Sequence, residues 1–110
     1  MSTYALTNAS TGKVEEEFDS IKSEQIPEII ENAHAAYLKW SSASMAERAE
    51  VLHKFADIVD QNTDELADII GREMGKPLKQ GKAEVTKVAK TARWFADNAP
   101  AFLEDTVLPA

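Results

Sequence analysis

The sequence predicts a predominantly α-helical chain with one β-hairpin at its N-terminal end, and three observations lead there. The spacing of apolar residues changes from two to 3.6 at about Ser23. A dense cluster of turn formers, Asn8-Ala9-Ser10-Thr11-Gly12-Lys13, separates two short stretches of strand-like composition. Helix start and stop signals then divide the remainder into four segments, at about 24–40, 45–60, 63–74 and 78–98.

The hairpin is expected over about residues 4–18, with strands at 4–8 and 14–18 and with Gly12 free to take a positive φ. The second strand alternates Val14, Glu16 and Phe18 with Glu15 and Glu17, so neither face is wholly apolar and it reads as an edge. In the first helix Ile26, Ile30, Ala33, Tyr37 and Trp40 form one stripe. Ser23 is in place to cap it, and Pro27 is tolerated because a first-turn N–H has no intrahelical acceptor.

Ser44 followed by Glu47 is a capping box, and Leu52, Phe55, Ala56 and Val59 repeat at helical spacing behind it. Asn62 with Glu65 repeats the pattern and predicts a break near residue 61, followed by a helix carrying Leu66, Ile69, Ile70 and Met74. Gly75-Lys76-Pro77 stops that helix, because glycine supplies the left-handed C-terminal position and proline cannot continue the turn. The last helix runs from Leu78 to about Asn98, with Pro100 and Pro109 punctuating a tail whose Phe102, Leu103, Val107 and Leu108 need cover.

Composition narrows the function. At 110 residues, 44% hydrophobic and 28% charged, the chain has the make-up of at most one globular domain. A net charge of -7 argues against nucleic acid, whose phosphates are met by clustered Lys and Arg. No apolar run reaches membrane-spanning length and residues 1–9 lack signal-peptide features, so no membrane partner and a cytoplasmic location are expected. The absence of cysteine removes disulfides, thiolate metal sites and thiol nucleophiles. His34 and His53 have no metal-site spacing.

Charge is unevenly placed. Between Arg72 and Arg93 lie seven of the 12 basic residues, and a helical projection gathers Lys79, Lys82, Lys87, Lys90 and Arg93 on one side with Trp94. A solvated face is the simpler reading, and a Trp among lysines points instead to an interface or a pocket mouth where the ring accepts a cation. Asp57, Asp60, Asp64 and Asp68 read as solvated positions. The four glycines do not form a dinucleotide fingerprint, Gly75-Lys76 is not a P-loop, and no serine sits in a nucleophile elbow.

Taken in order, several of these signals resemble the N-terminal region of NAD(P)-dependent aldehyde dehydrogenases. They are the hairpin turn Asn8–Gly12, Trp40, Glu47-Arg48-Ala49, Leu52 with Ala56, Glu73-Met74-Gly75-Lys76-Pro77-Leu78, Glu84-Val85 and Trp94-Phe95-Ala96. The later stretch looks most like the succinate-semialdehyde dehydrogenase branch. Two departures are Ala9, where many members carry proline in the turn, and the length, since family members run to several hundred residues.

The resemblance implies the α/β aldehyde dehydrogenase fold, with this segment as the N-terminal part of its Rossmann-like cofactor-binding domain. It implies an enzyme that oxidises an aldehyde to a carboxylic acid with NAD or NADP through a cysteine-bound intermediate. The family's cysteine, general-base glutamate, oxyanion-hole asparagine and cofactor loop all lie downstream. The segment alone is therefore expected to bind no cofactor and to be inactive, its partners being the remainder of the chain, a small aldehyde and other copies in a dimer or tetramer. By position, Ala83 and Lys87 correspond to the substrate entrance, and Glu73, with carbonyls of Leu6 or Thr7, to a monovalent-cation site. The alternative is a free-standing helical protein-interaction module that uses the Trp94 face or the apolar tail.

Overall fold

A computed structural model describes residues 4–109. Strands β1 (Tyr4–Thr7) and β2 (Val14–Phe18) pair antiparallel, and four helices follow: α1 (Ile26–Trp40), α2 (Met45–Gln61), α3 (Thr63–Met74) and α4 (Leu78–Phe102). The mostly helical chain with an N-terminal hairpin is thus as the sequence reads.

Asn8 organises the hairpin turn. Its side-chain oxygen accepts the N–H groups of Ser10 and Thr11 at 2.9 and 3.1 Å, while Gly12 takes φ +69° and donates to the Asn8 carbonyl. The register runs Leu6 opposite Glu16 and then Thr7 opposite Val14, so Glu15 is an extra residue in β2. Such a bulge re-aims its side chain, and Glu15 is turned to Asn8 and to α3.

Three local expectations are corrected. Ser23 does not cap the first helix: it opens a 3-10 turn, Ser23–Gln25, where the Gln25 side chain accepts the Lys22 N–H instead. Asn62 does stand between α2 and α3, yet its amide donates backward to the Ile58 carbonyl at 2.7 Å, because its backbone is not in the extended conformation a capping residue needs. Helix α4 continues through Pro100 to Phe102. Proline removes one N–H there, but Leu103 donates to Ala99 and the final turn closes around the loss. The Ser44–Glu47 capping box and the left-handed Gly75 form as expected.

The core is a seam of small side chains. Ala56 and Val59 of α2 and Ala67 of α3 meet Val85, Ala89 and Ala92 of α4, with Leu66 and Ile70 packed alongside. Among the described residues no large side chain is fully buried. Gly81 of α4 lies against the backbone of Ala67, so α3 and α4 approach more closely than a side chain would allow.

Acidic and basic helices are then laced over this seam. Arg93 reaches Asp57 and Asp60 on α2 at 2.6 and 2.7 Å, Lys82 reaches Asp64 on α3 at 2.6 Å, and His53 meets Asp97 at 3.0 Å. Asp57, Asp60, Asp64 and Asp68 are exposed, but each is ion-paired rather than merely solvated. Asp68 pairs with Arg72 on its own helix, while Asp57, Asp60 and Asp64 pair across because α4 presents Lys82 and Arg93 beside the acidic edges of α2 and α3.

Helix α1 stands apart. None of its residues is buried; among the described residues it packs on the 3-10 turn that precedes it and meets α2 at its last residue, Trp40, through Arg48. The radius of gyration is 19.4 Å, where a compact domain of this length would have about 13 Å. The apolar stripe of α1 and the tail residues Phe102, Leu103, Val107 and Leu108 remain exposed.

Candidate functional site

Two concave regions flank α4. The larger, of about 640 Å³, is an open apolar groove between α2 and α4, formed by Leu52 and Phe55 on one wall and Val88, Ala92 and Phe95 on the other. Glu84, Lys87 and Thr91 supply its polar rim. Phe55, Glu84 and Val88 also line an adjoining hollow that continues over α3 past Val59 and Ile70. These residues recur on α4 at three- and four-residue steps, one strip round from the core stripe. That spacing was legible in the sequence, but nothing in it told which apolar residues stay uncovered.

Lys87 stands where the groove meets a shallower hollow that it shares with Lys90, Thr91 and Trp94. The structure therefore brings Lys87 and Trp94 together, as helical spacing implies. Ala83 is exposed one turn earlier and lines neither region. The basic side itself divides: Lys82 and Arg93 are tied to aspartates, while Lys79, Lys87 and Lys90 form no ion pair among the described residues. Among the described residues no cation lies over the Trp94 ring. That ring meets Phe95 edge-on at 5.0 Å and Phe102 at 5.7 Å, and the ring under a guanidinium is Trp40, with Arg48 at 5.8 Å.

Glu84 shares the groove rim with Lys87, and its carboxylate is held by Lys76 from the Gly75-Lys76-Pro77 stop. The acid nearest Lys87 on the rim is thereby neutralised in place, which leaves the Lys87 ammonium as the uncompensated charge there.

The second region lies under the hairpin turn. Asn8 and Ser10 face Gly71, Arg72, Gly75 and Lys76 across a hollow of about 390 Å³. Backbone and side chains both fasten the turn to α3. Ala9 donates to the Arg72 carbonyl at 2.8 Å, and Glu15 accepts from Asn8 at 2.7 Å and from the Arg72 guanidinium at 3.1 Å, with Asp68 behind it at 2.9 Å. Glu73 is exposed in the last turn of α3 and does not line the hollow. This latch was missed at the sequence level, because Glu15 and Arg72 are 57 positions apart and only the bulge aims one at the other.

The Asn8 hydrogen bond, and then Arg72, lower the Glu15 pKa from its ordinary value. A carboxylate depressed in the folded state contributes stability that is fully present above its unfolded value, about 4.3 for glutamate, and is lost as pH falls through the lower folded value. The Asn8 side-chain amide resonance should accordingly hold its docked position through neutral pH and shift only under acid conditions below that range. Replacing Arg72 by methionine should move the transition upward toward the ordinary value; an unmoved midpoint would show that Arg72 does not hold Glu15.

The glycines complete the inventory. Gly12 lies in the hairpin turn, Gly71 and Gly81 within helices, and Gly75 at a helix C-terminus. None opens a helix after a strand, so no cradle for a dinucleotide pyrophosphate exists among the described residues.

The described residues thus hold an open apolar groove beside a long helix and a short hairpin fastened to the preceding helix. Residues 1–110 match the aldehyde dehydrogenase family throughout, and the chain belongs to that family, corresponding to its N-terminal region. It is 36% identical over 106 residues to the succinate-semialdehyde dehydrogenase (NADP+) of Deinococcus radiodurans, covering 96% of this chain and 22% of that protein. An aldehyde dehydrogenase of Paenarthrobacter nicotinovorans is 38% identical over 107 residues, covering 96% of this chain and 23% of that one. In three dimensions the chain superposes on succinic semialdehyde dehydrogenase from Streptococcus pyogenes, solved in complex with NADP+, with a TM-score of 0.89 and 31% identity. That match covers 97% of this chain and 24% of the other. The chain thus spans less than a quarter of the length of these relatives.

Proposed function

We propose that the chain is the N-terminal part of a cytoplasmic aldehyde dehydrogenase that oxidises an aldehyde, succinic semialdehyde foremost, to a carboxylic acid with NADP or NAD. The observation that carries this reading is the family match over residues 1–110, joined by succinate-semialdehyde dehydrogenases that match 96–97% of the chain. The segment's own task is scaffolding within the cofactor-binding domain, together with one wall of the substrate entrance at Ala83 and Lys87. The nicotinamide cofactor supplies the hydride acceptor when bound, and its site belongs to the remainder of the polypeptide, since these glycines do not fit it. By the same family analogy the whole enzyme assembles as a dimer or tetramer.

Exposed apolar faces on the described helices support a segment that is completed by further structure. The deciding experiment is an assay of NAD(P)H formation. The 110-residue chain alone should give none with succinic semialdehyde, and the reading frame extended past Ala110 into the rest of a family-length polypeptide should restore it. Activity of the short chain, or a frame that ends at Ala110, would overturn the reading.

Glu73, with carbonyl oxygens of Leu6 or Thr7, is proposed to hold a monovalent cation. The docking of the hairpin on the end of α3 supports it, because Ala9 and Arg72 are directly bonded and Glu73 follows Arg72. In the whole enzyme, added potassium should raise the melting temperature. Glu73→Gln should abolish that increment, and an undiminished increment would rule Glu73 out.

A further inference from the structure

Glu84 and Lys87 stand three residues apart on α4, and both rim the α2–α4 groove. At that spacing side chains are neighbours on a helix surface and opposite charges pair. The expected partner of Glu84 is therefore Lys87. The structure shows a different pair: the Glu84 carboxylate is taken by Lys76, which precedes the helix, and Lys87 forms no ion pair among the described residues.

The loop that carries Lys76 fixes where its side chain can reach. Gly75 ends α3 at φ +68° and Pro77 precedes the first residue of α4. The Lys76 carbonyl oxygen lies 3.4 Å from where a Cβ on Gly71 would stand, and Ala9 of the hairpin turn packs so closely on Gly75 that an added Cβ would come 3.2 Å from its own. The hairpin and the end of α3 thus hold the loop from two sides. Lys76 is half-buried there, whereas Lys87 is exposed. A partly buried pair is screened less by solvent and salt than an exposed one, which settles the competition for Glu84 in favour of Lys76. Held by Lys76, the carboxylate leaves the Lys87 ammonium open to an anion. Turned to Lys87, it would occupy that ammonium and set its own negative charge where an anionic substrate has to pass.

We propose that Lys76 is a positioning residue for substrate selection: by holding Glu84 it keeps Lys87 free for the carboxylate of a semialdehyde. This rests on the reading of Lys87 as part of the substrate entrance, and adds to it the residue on which the availability of Lys87 depends. Lys76 acts through Glu84 and touches no substrate itself.

The test uses the whole enzyme and the ratio of kcat/KM for succinic semialdehyde to that for an uncharged aldehyde of similar length. Lys76→Met should lower this ratio about threefold, through KM, as befits the loss of one exposed charge contact. Lys76→Arg should keep it. Lys76→Met combined with Glu84→Gln should restore it, because no carboxylate then competes for Lys87, and Glu84→Gln alone should leave it close to the wild-type value. That pattern separates competition from net charge: if only summed charge mattered, Glu84→Gln would raise the ratio as much as Lys76→Met lowers it, and such additivity would overturn the proposal. A crystal structure of the Lys76→Met enzyme gives a second readout that needs no substrate. In it the Glu84 carboxylate should lie within about 4 Å of the Lys87 ammonium. A carboxylate that stays away from Lys87, or a ratio that the double variant does not restore, would likewise overturn the proposal. Lys87→Met tells the two readings apart: if Glu84 moves to Lys87 in the crystal while Lys87→Met leaves the ratio unchanged, the entrance reading has failed and the competition between the lysines stands.

Discussion

Gly81→Leu is expected to lower the urea midpoint of the isolated chain severely, by about 1–3 kcal/mol in unfolding free energy. A Cβ at Gly81 would come 3.1 Å from the Ala67 carbonyl oxygen and 3.4 Å from its Cα and Cβ. Those are mostly backbone atoms, so no side chain can swing aside. The only relief is for α3 and α4 to separate. Separation would open the alanine seam, in which no large fully buried side chain can expand to fill the gap. Ordinary domains have a margin of only about 5–15 kcal/mol, so a loss of this size is a large share of it.

Two companion variants give the explanation its edge. Gly81→Ala sets a gain in helix propensity of about 1 kcal/mol against the same close contact and should fall between wild type and leucine. Lys90→Leu, on the solvent side of the same helix, should leave the midpoint nearly unchanged. Equal effects of leucine at positions 81 and 90 would show that the close approach of α3 to α4 is not what limits stability.

The second large effect is expected in the whole enzyme. Lys87→Met should raise KM for succinic semialdehyde about tenfold while sparing an uncharged aldehyde of similar length, tenfold being about 1.4 kcal/mol. Charge-assisted hydrogen bonds contribute about 1.5–3 kcal/mol, and the lower end is appropriate to a residue that is exposed in this segment. The geometry favours Lys87 for the role because it rims the apolar groove, carries no ion pair among the described residues, and has its acidic neighbour Glu84 engaged by Lys76. A substrate with an apolar middle and an anionic end would lay the one along Val88 and Phe95 and bring the other to Lys87. Equal loss with both aldehydes would mean that Lys87 shapes the groove without recognising charge.

Much of this was legible residue by residue. The Asn8–Gly12 turn, the Ser44–Glu47 capping box and the Gly75 stop are set by bonds within a few residues, so their patterns carry their own partners. The same locality explains the errors. Ser23 and Asn62 look like caps, but Ser23 lies inside a 3-10 turn capped at Lys22, and Asn62 has a backbone set by the join of α2 to α3 that is not a capping one. Pro100 looks like a terminus, yet it stands close enough to the end of α4 for the last turn to form without its N–H.

At the site, Lys87 and Trp94 were placed together by helical spacing alone, whereas the groove that gives Lys87 a context needed α2 to be laid beside α4. Trp94 found aromatic neighbours where the lysines had suggested a cation. The sequence by itself determined the hairpin and the four helices, most of their ends and the family resemblance, because those follow from local periodicity, capping and residue identity. Only the tertiary structure decided that Glu15 and Arg72 hold the hairpin, that Asp57, Asp60 and Asp64 pair with α4, and that α1 stands out from the body. Each of those depends on which surfaces meet, and surfaces distant in the chain are brought together by close packing such as that of Gly81 against Ala67, to which no local pattern points.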